Sequence, residues 1–300
     1  MSMGVLTEPG CIKLTLSEKR EASNLLMAKI RMKKLHIPEQ NPEEIIQHVV
    51  DEYGDSLNIG WSGGKCSTVV LKMVIKYFPK VPVTWCNTLV LYKEDEDFVQ
   101  KIAKMWDLNL ITLYPWQDFW TTKKEHGWPK LRKTGSQLKA MGLTGEAAQE
   151  YRRPYCCLYT KELPEEEYYI NNNIHANFSG LRAAESMRRA VNLIGGLGQC
   201  YTLKSGKFKG MVKAHPIALW TQKQVNDFLA KNNVPENLVY RSQNRNGCKW
   251  CTAFKGCKEA MIRYSLWKFG DWRMYDFVIN DMYGTHYKHP VMTSYRGERN

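Results

Sequence analysis

Short apolar runs alternate with stretches of helical spacing along most of this chain. Residues 57–61, 81–87, 108–113, 175–179 and 210–214 read as strands, and residues 68–77, 94–106 and 222–231 as helices. The last of these helices opens on Thr221 with Gln224 three residues on, a capping-box pair. Upstream, residues 15–35 read as a basic amphipathic helix with Leu25, Leu26, Ile30 and Leu35 on its apolar side, broken by Pro38 and Pro42. A second helix over residues 42–53 leads into the first strand. Strands alternating with helices predict an α/β fold, a doubly wound, mainly parallel sheet with helices on both faces. Ligands of such sheets sit at the carboxyl ends of the strands. Ser62, Asn87 and Gly180 all fall at or just past a predicted strand end, so they are expected on one rim. The expected organisation is a helical extension over 1–44, an α/β domain over 45–235, and a cysteine-rich segment with a helical appendage over 236–300.

The composition narrows the partners. A hydrophobic share of 43% and an aromatic share of 12% support a sizeable core. Lysine and arginine number 43 against 30 acidic residues, a net charge of +13 that favours phosphate-rich partners, nucleotide or nucleic acid. Basic residues cluster at 29–34, 123–139 and 204–213, with Trp116, Trp120 and Trp128 beside the second cluster. Aromatics next to cations suit stacked bases, although tryptophans in a large fold more often belong to its core. No apolar run is long enough to span a membrane. The first residues lack a basic-then-apolar secretory pattern, so the expected location is the cytoplasm. Nine cysteines there point to ligands, catalysts or core thiols rather than disulfides. Cys86 falls in the second strand, and Cys11 and Cys200 have no partner in spacing.

One turn carries candidate chemistry by itself. Trp61-Ser62-Gly63-Gly64-Lys65-Cys66-Ser67 joins a strand to a helix. A strand feeding a Gly-Gly turn feeding a helix aims several backbone N–H groups and the positive end of the helix at one point, an anion site. It is not the common G-x-x-x-x-G-K-[ST] phosphate loop. It resembles the Ser-Gly-Gly-x-Asp-Ser loop of the adenine nucleotide alpha-hydrolase superfamily, with Cys66 in place of the aspartate.

Further motifs in the same order resemble the phosphoadenosine phosphosulfate (PAPS) reductases and their relatives. Gly180-Leu181-Arg182-Ala183-Ala184-Glu185-Ser186-Met187-Arg188 is similar to their Gly-x-Arg-x-x-Glu-Ser-x-x-Arg run. Cys156-Cys157-Leu158-Tyr159-Thr160-Lys161 is similar to their Cys-Cys-x-x-x-Lys segment. His215 to Thr221 resembles their Pro-Leu-x-x-Trp-Thr turn, and Asn246-Gly247-Cys248-Lys249-Trp250-Cys251 their Arg-x-Gly-Cys-x-x-Cys segment. The resemblance covers about residues 45–260 and implies a Rossmann-like nucleotide domain. It implies that Ser62, Gly63, Gly64, Lys65, Ser67, Asn87, Gly180, Arg182, Ser186 and Arg188 bind ATP or PAPS, and that Lys65, Cys66, Arg182 and Glu185 take part in the chemistry. Arg182 and Arg188 are expected to clamp a phosphate or sulfate, with Glu185 orienting one of them.

The remaining cysteines form a candidate metal set. Cys248, Cys251 and Cys257 make C-x2-C-x5-C, and Cys156 and Cys157 are adjacent. Thiolates in this number suit an iron–sulfur cluster or a tetrahedral zinc. The resemblance implies a [4Fe–4S] cluster with Cys157, Cys248, Cys251 and Cys257 as ligands and Cys156 as the alternative fourth. Sulfur-inserting relatives in DNA phosphorothioation show a similar C-x2-C-x5-C run.

Three functions follow from the resemblance. The first is transfer of sulfur to a nucleic acid or nucleotide acceptor, with ATP bound at the loop, pyrophosphate leaving, magnesium assisting, and a sulfur-donor or reductant protein as partner. The second is reduction of a sulfonucleotide. That reaction usually uses a tail cysteine, and no cysteine follows Cys257 here. The third is a nucleotide-binding regulator without catalysis. Cys66 bears on all three, because a thiol is a poor hard-metal ligand yet is reactive at a helix start.

Overall fold

The computed structural model describes residues 14–243, 245–254 and 256–284. Six strands are present, β1 Leu57–Gly60, β2 Pro82–Cys86, β3 Asn109–Leu113, β4 Ala176–Phe178, β5 Cys200–Thr202 and β6 Val212–Ala214. The first helices are α1 Leu16–Lys34, α2 Pro42–Tyr53, α3 Lys65–Val74, α4 Lys93–Met105, α5 Phe119–His126, α6 Gly135–Ala140 and α7 Gly145–Arg152. Then follow α8 Tyr155–Cys157, α9 Leu163–Asn171, α10 Gly195–Leu197, α11 Gln222–Lys231, α12 Cys257–Phe269 and α13 Arg273–Tyr283. The strand order is β3-β2-β1-β4-β6-β5. The β1–β4, β4–β6 and β2–β3 pairs are parallel, with Leu57 opposite Ala176 and Pro82 opposite Asn109. The fold is therefore α/β with a mainly parallel sheet and flanking helices, as the alternation predicts. The exception is β5, which runs antiparallel to β6. It holds Cys200 and is too short for periodicity to reveal.

The chain divides into two compact units that interleave along the sequence. The first holds residues 14–59, Lys65–Val81 and His175–Val234, and with them β1, β4, β5, β6, α1, α2, α3 and α11. Helix α1 opens on a capping box between Thr15 and Glu18, and α11 on the expected one between Thr221 and Gln224. The buried face of α1 is Asn24, Leu25, Ala28 and Met32. Of the expected apolar side only Leu25 is buried, whereas Leu26, Ile30 and Leu35 are exposed. Size decides this. Ala28 meets Ala183, Ala184, Ala190 and Ala218 in one core cluster, where small side chains permit close approach. Asn24 Nδ2 donates to the Ala184 carbonyl at 2.8 Å, which secures the same face.

His215, just past β6, lies buried in this unit, with Nδ1 2.9 Å from Ser179 Oγ and Nε2 3.5 Å from the Tyr201 hydroxyl. Burial, then the Lys213 charge, pull its titration from 6.5 down to about 4. Between those values the unfolded chain takes the proton before the folded one. The stability that neutral His215 contributes is therefore present above pH 6.5 and is lost at about 1.4 kcal/mol per pH unit as pH falls toward 4. Urea unfolding of the wild type and of His215→Gln should show the gap between them narrowing by about 3 kcal/mol from pH 7 to pH 4. A constant gap would mean that His215 is not buried neutral.

The second unit holds Gly60–Gly64, Pro82–Ile174 and residues from Pro235 onward. Helices α12 and α13 are not an appendage here. Met261, Met274, Val278 and Ile279 from them form one core cluster with Tyr92 and Val239. Of the three tryptophans beside the basic cluster, Trp116 and Trp120 are exposed and Trp128 is partly buried. Trp120 makes ring contacts with Trp128, Trp250 and Phe277, and Lys123 Nζ lies 5.4 Å from the Trp128 ring. No helix among the described residues is long and apolar enough to cross a membrane.

Candidate active site

The glycine loop leaves β1 and enters α3 directly, as its spacing predicts. Ser62 is exposed while Gly63 and Gly64 are buried. Gly63 has φ +71°, a left-handed conformation that favours glycine, and a Cβ there would stand 3.0 Å from Val99 Cγ2. The Gly64 N–H donates to Ser62 Oγ at 3.4 Å. In the same unit Asn246 covers the turn. Its Nδ2 donates to the Ser62 carbonyl at 2.5 Å, and its Oδ1 would lie 2.8 Å from a Cβ on Gly64. Asn237 Nδ2 reaches the Gly63 carbonyl at 3.4 Å and Asp95 Oδ1 at 2.7 Å. Burial pushes the Asp95 carboxyl up to about 6, against the hydrogen bonds from Asn237 and the Gly247 backbone, which favour its charged form. Asn87, just past β2, accepts the Leu89 N–H through Oδ1 at 3.0 Å.

In the first unit, Lys65, Cys66 and Ser67 form the first turn of α3, with Ser67 buried. Gly180, two residues past β4, lies against that turn. A Cβ on Gly180 would stand 2.4 Å from the Ser67 nitrogen and 2.5 Å from the Cys66 carbonyl carbon, so only glycine allows the approach. Arg182 is 3% exposed and its guanidinium is committed to protein partners. Nε donates to Cys66 Sγ at 3.2 Å, Nη1 to Glu21 Oε1 at 3.1 Å and the Trp220 carbonyl at 2.9 Å, and Nη2 to Gln222 Oε1 at 2.6 Å. The expected Arg182–Arg188 clamp is therefore not formed, because Arg182 is a buried brace while Arg188 is exposed. Glu185 pairs with Arg189, lies 4.0 Å from Arg182 Nε and accepts from Cys66 Sγ at 3.6 Å. Ser186 Oγ accepts the Arg189 N–H at 3.3 Å. Cys66 thus sits between a guanidinium and a carboxylate at a helix start.

The second unit gathers thiols. Cys156 and Cys157 form the helical turn α8, which continues as a π-helix over Leu158–Glu162. Cys248 pairs in a bridge with Leu91, its Sγ is 3.3 Å from Thr88 Oγ1, and the Cys251 N–H donates to the Cys248 carbonyl at 3.3 Å. The hydrogen bond from Cys156, then Lys161 and Arg132, lower the Cys157 thiol, and Arg132 Nη2 stands 3.9 Å from its Sγ. The paired Cys156 thiol is raised, first by Cys157 and also by Cys251 and Cys248. Burial and then Cys248 push Cys251 up to about 11. Lys161 is kept charged first by Cys248, and also by Cys157, Cys86 and Cys251. Cys257 stands apart in these interactions, donating to the Thr252 carbonyl at 3.6 Å with Glu259 and Lys258 as its main charges. Among the described residues no three His, Cys, Asp or Glu side chains stand at metal-coordination spacing. Cys86, in β2, is pushed up to about 12 by burial and then Glu165. Cys11 lies outside the described residues.

The sequence reading missed Asp95, Asn237 and Asn246 as loop supports, and Lys161 as the cation among the thiols. Only the Cys-Cys-x-x-x-Lys spacing pointed to one of them.

A family model described as "Phosphoadenosine phosphosulfate reductase domain" matches residues 56–254. An adenosine 5′-phosphosulfate reductase of Staphylococcus haemolyticus is 27% identical over 70% of this chain and 76% of its own length. An uncharacterised protein of Methanocaldococcus jannaschii is 29% identical over 66% of this chain, which spans only 42% of that relative. Among solved structures, a phosphoadenylyl-sulfate reductase from Candida auris in phosphate complex is similar over 77% of this chain and 94% of its own, at 20% identity and a TM-score of 0.48.

Proposed function

Because this chain belongs to the phosphoadenosine phosphosulfate reductase domain family, we propose that it is an adenine-nucleotide enzyme of sulfur chemistry, with a sulfonucleotide of the adenosine 5′-phosphosulfate class as substrate. The observation that carries this reading is the start of α3. Gly180 lets the end of β4 pack directly on its first turn and fix it, and Lys65 brings a cation to that turn. Cys66 offers a thiol where a magnesium triphosphate would call for a hard oxygen ligand, which favours the sulfonucleotide over ATP.

In this reading a thiolate, for which Cys66 is the candidate at the loop, attacks the sulfate sulfur. The sulfur–oxygen bond to phosphate breaks, and AMP leaves with the electron pair. An external dithiol then releases sulfite by thiol exchange and is oxidised to its disulfide. The Arg182 Nε–H, which donates to Cys66 Sγ at 3.2 Å, holds that side chain in place, and Lys65 offsets charge on the leaving phosphate.

The four thiols of Cys156, Cys157, Cys248 and Cys251 fit a [4Fe–4S] cluster in donor type and number. They act electrostatically on one another and on half-buried Lys161, which favours Cys156 as the fourth ligand in this reading. When bound, the cluster supplies a concentrated charge near the thiols, and Lys161 offsets the negative charge of the set.

Protein purified without oxygen should contain about four irons and four sulfides per chain. It should release sulfite from adenosine 5′-phosphosulfate when a dithiol is supplied, and Cys66→Ser should bind the nucleotide but release none. Zinc in place of iron would replace the cluster with a structural site. Pyrophosphate from ATP, with no sulfite from the sulfonucleotide, would favour the second reading, sulfur transfer to a nucleic acid. The observation behind that reading is the exposed Trp116 and Trp120 on a chain of net charge +13.

A further inference from the structure

The residue two positions before the first cysteine of C-x2-C-x5-C, Asn246, lies on the glycine loop. Asn246 donates to the Ser62 carbonyl at 2.5 Å and abuts Gly64, while Cys248 is held to the other side by the Leu91 bridge and by Thr88 Oγ1 at 3.3 Å. The Lys249 N–H donates to the Val90 carbonyl at 2.9 Å, so backbone bonds on both sides of Cys248 fix this short segment. In the same unit Asn237 Nδ2 reaches the Gly63 carbonyl at 3.4 Å and Asp95 Oδ1 at 2.7 Å, which steadies the turn from another side. Asn246 therefore links one side of Cys248 to the Ser62 carbonyl of the turn.

We infer that Asn246 is a positioning residue that couples the state of Cys248 to the shape of the glycine loop, so that engaging Cys248 orders the loop and filling the loop protects Cys248. This rests on the reading of residues 62–67 as the nucleotide loop. A shift at Cys248 moves Asn246 with it, because only Gly247 lies between them, and Asn246 holds the Ser62 carbonyl that sets the turn. Such a coupling is reciprocal, since each site changes the other by the same factor.

The probe for the nucleotide direction is adenosine 5′-phosphosulfate, and the readout is the rate at which iodoacetamide alkylates Cys248, followed by mass spectrometry. Saturating nucleotide should slow that rate about five-fold in the wild type, the low end of typical couplings, and should leave it unchanged in Asn246→Ala. Equal protection in the variant would overturn the inference, since Asn246 would then carry nothing. So would a wild-type rate indifferent to nucleotide that binds. The other arm needs no nucleotide. Hydrogen exchange of residues 60–66 should slow when the protein is loaded with zinc or iron and sulfide, and this slowing should disappear in Asn246→Ala. Exchange that responds equally in both proteins overturns the coupling. Failure of nucleotide binding alone removes the proposed function and leaves the exchange arm to decide.

Discussion

Gly180→Ala should unfold several degrees below the wild type, with a loss of about 3 kcal/mol. The new methyl carbon would stand 2.4 Å from the Ser67 nitrogen and 2.5 and 2.7 Å from the Cys66 carbonyl carbon and oxygen. All three are backbone atoms, so no side-chain rotation relieves the contact. Either the end of β4 or the first turn of α3 must move. In the proposed function that turn also supplies N–H groups to the nucleotide, so nucleotide affinity should fall together with stability. Thermal unfolding and nucleotide titration of the same variant check both halves. A stable Gly180→Ala protein with unaltered affinity would mean that β4 and α3 are not in this contact.

The second large effect belongs to Arg182. Arg182→Ala should cost about 3 to 5 kcal/mol, the usual consequence of removing one member of a buried ion pair. Glu21, the Trp220 carbonyl and Gln222 Oε1 would each lose a donor, and Cys66 its guanidinium. Glu21 retains the Gln222 N–H at 2.6 Å, which keeps the loss toward the lower end. Arg182→Lys should recover only part of it, since an ammonium cannot span Cys66, Glu21 and Gln222 as the planar fork does. Urea unfolding of the three proteins, set beside their nucleotide affinities, distinguishes a brace from a phosphate clamp. A brace loses stability in both variants, whereas a clamp would lose affinity with stability preserved.

Most of the fold was legible because strands and helices alternate with clear periods. Helix α2 matches its expected bounds, and α1 and α4 lie within one residue of theirs at each end. The buried face of α1 was not legible. Leucines and isoleucines suggested one side, but the alanines opposite it permit the closer packing, and hydropathy does not encode size. The candidate site was legible as motifs, but the partners of its residues were not. Arg182 fits a clamp by its motif, yet its partners Glu21 and Gln222 lie 161 and 40 residues away in sequence. Nothing local announces them.

The sequence by itself determined the α/β class, the strand-to-helix glycine loop and the thiol set, because each depends on residue type at short spacing. Only the tertiary structure decided that Arg182 meets Glu21, the Trp220 carbonyl and Gln222, and that Asn246 sits on the loop. Those facts depend on which distant segments meet, and long-range packing and burial govern that.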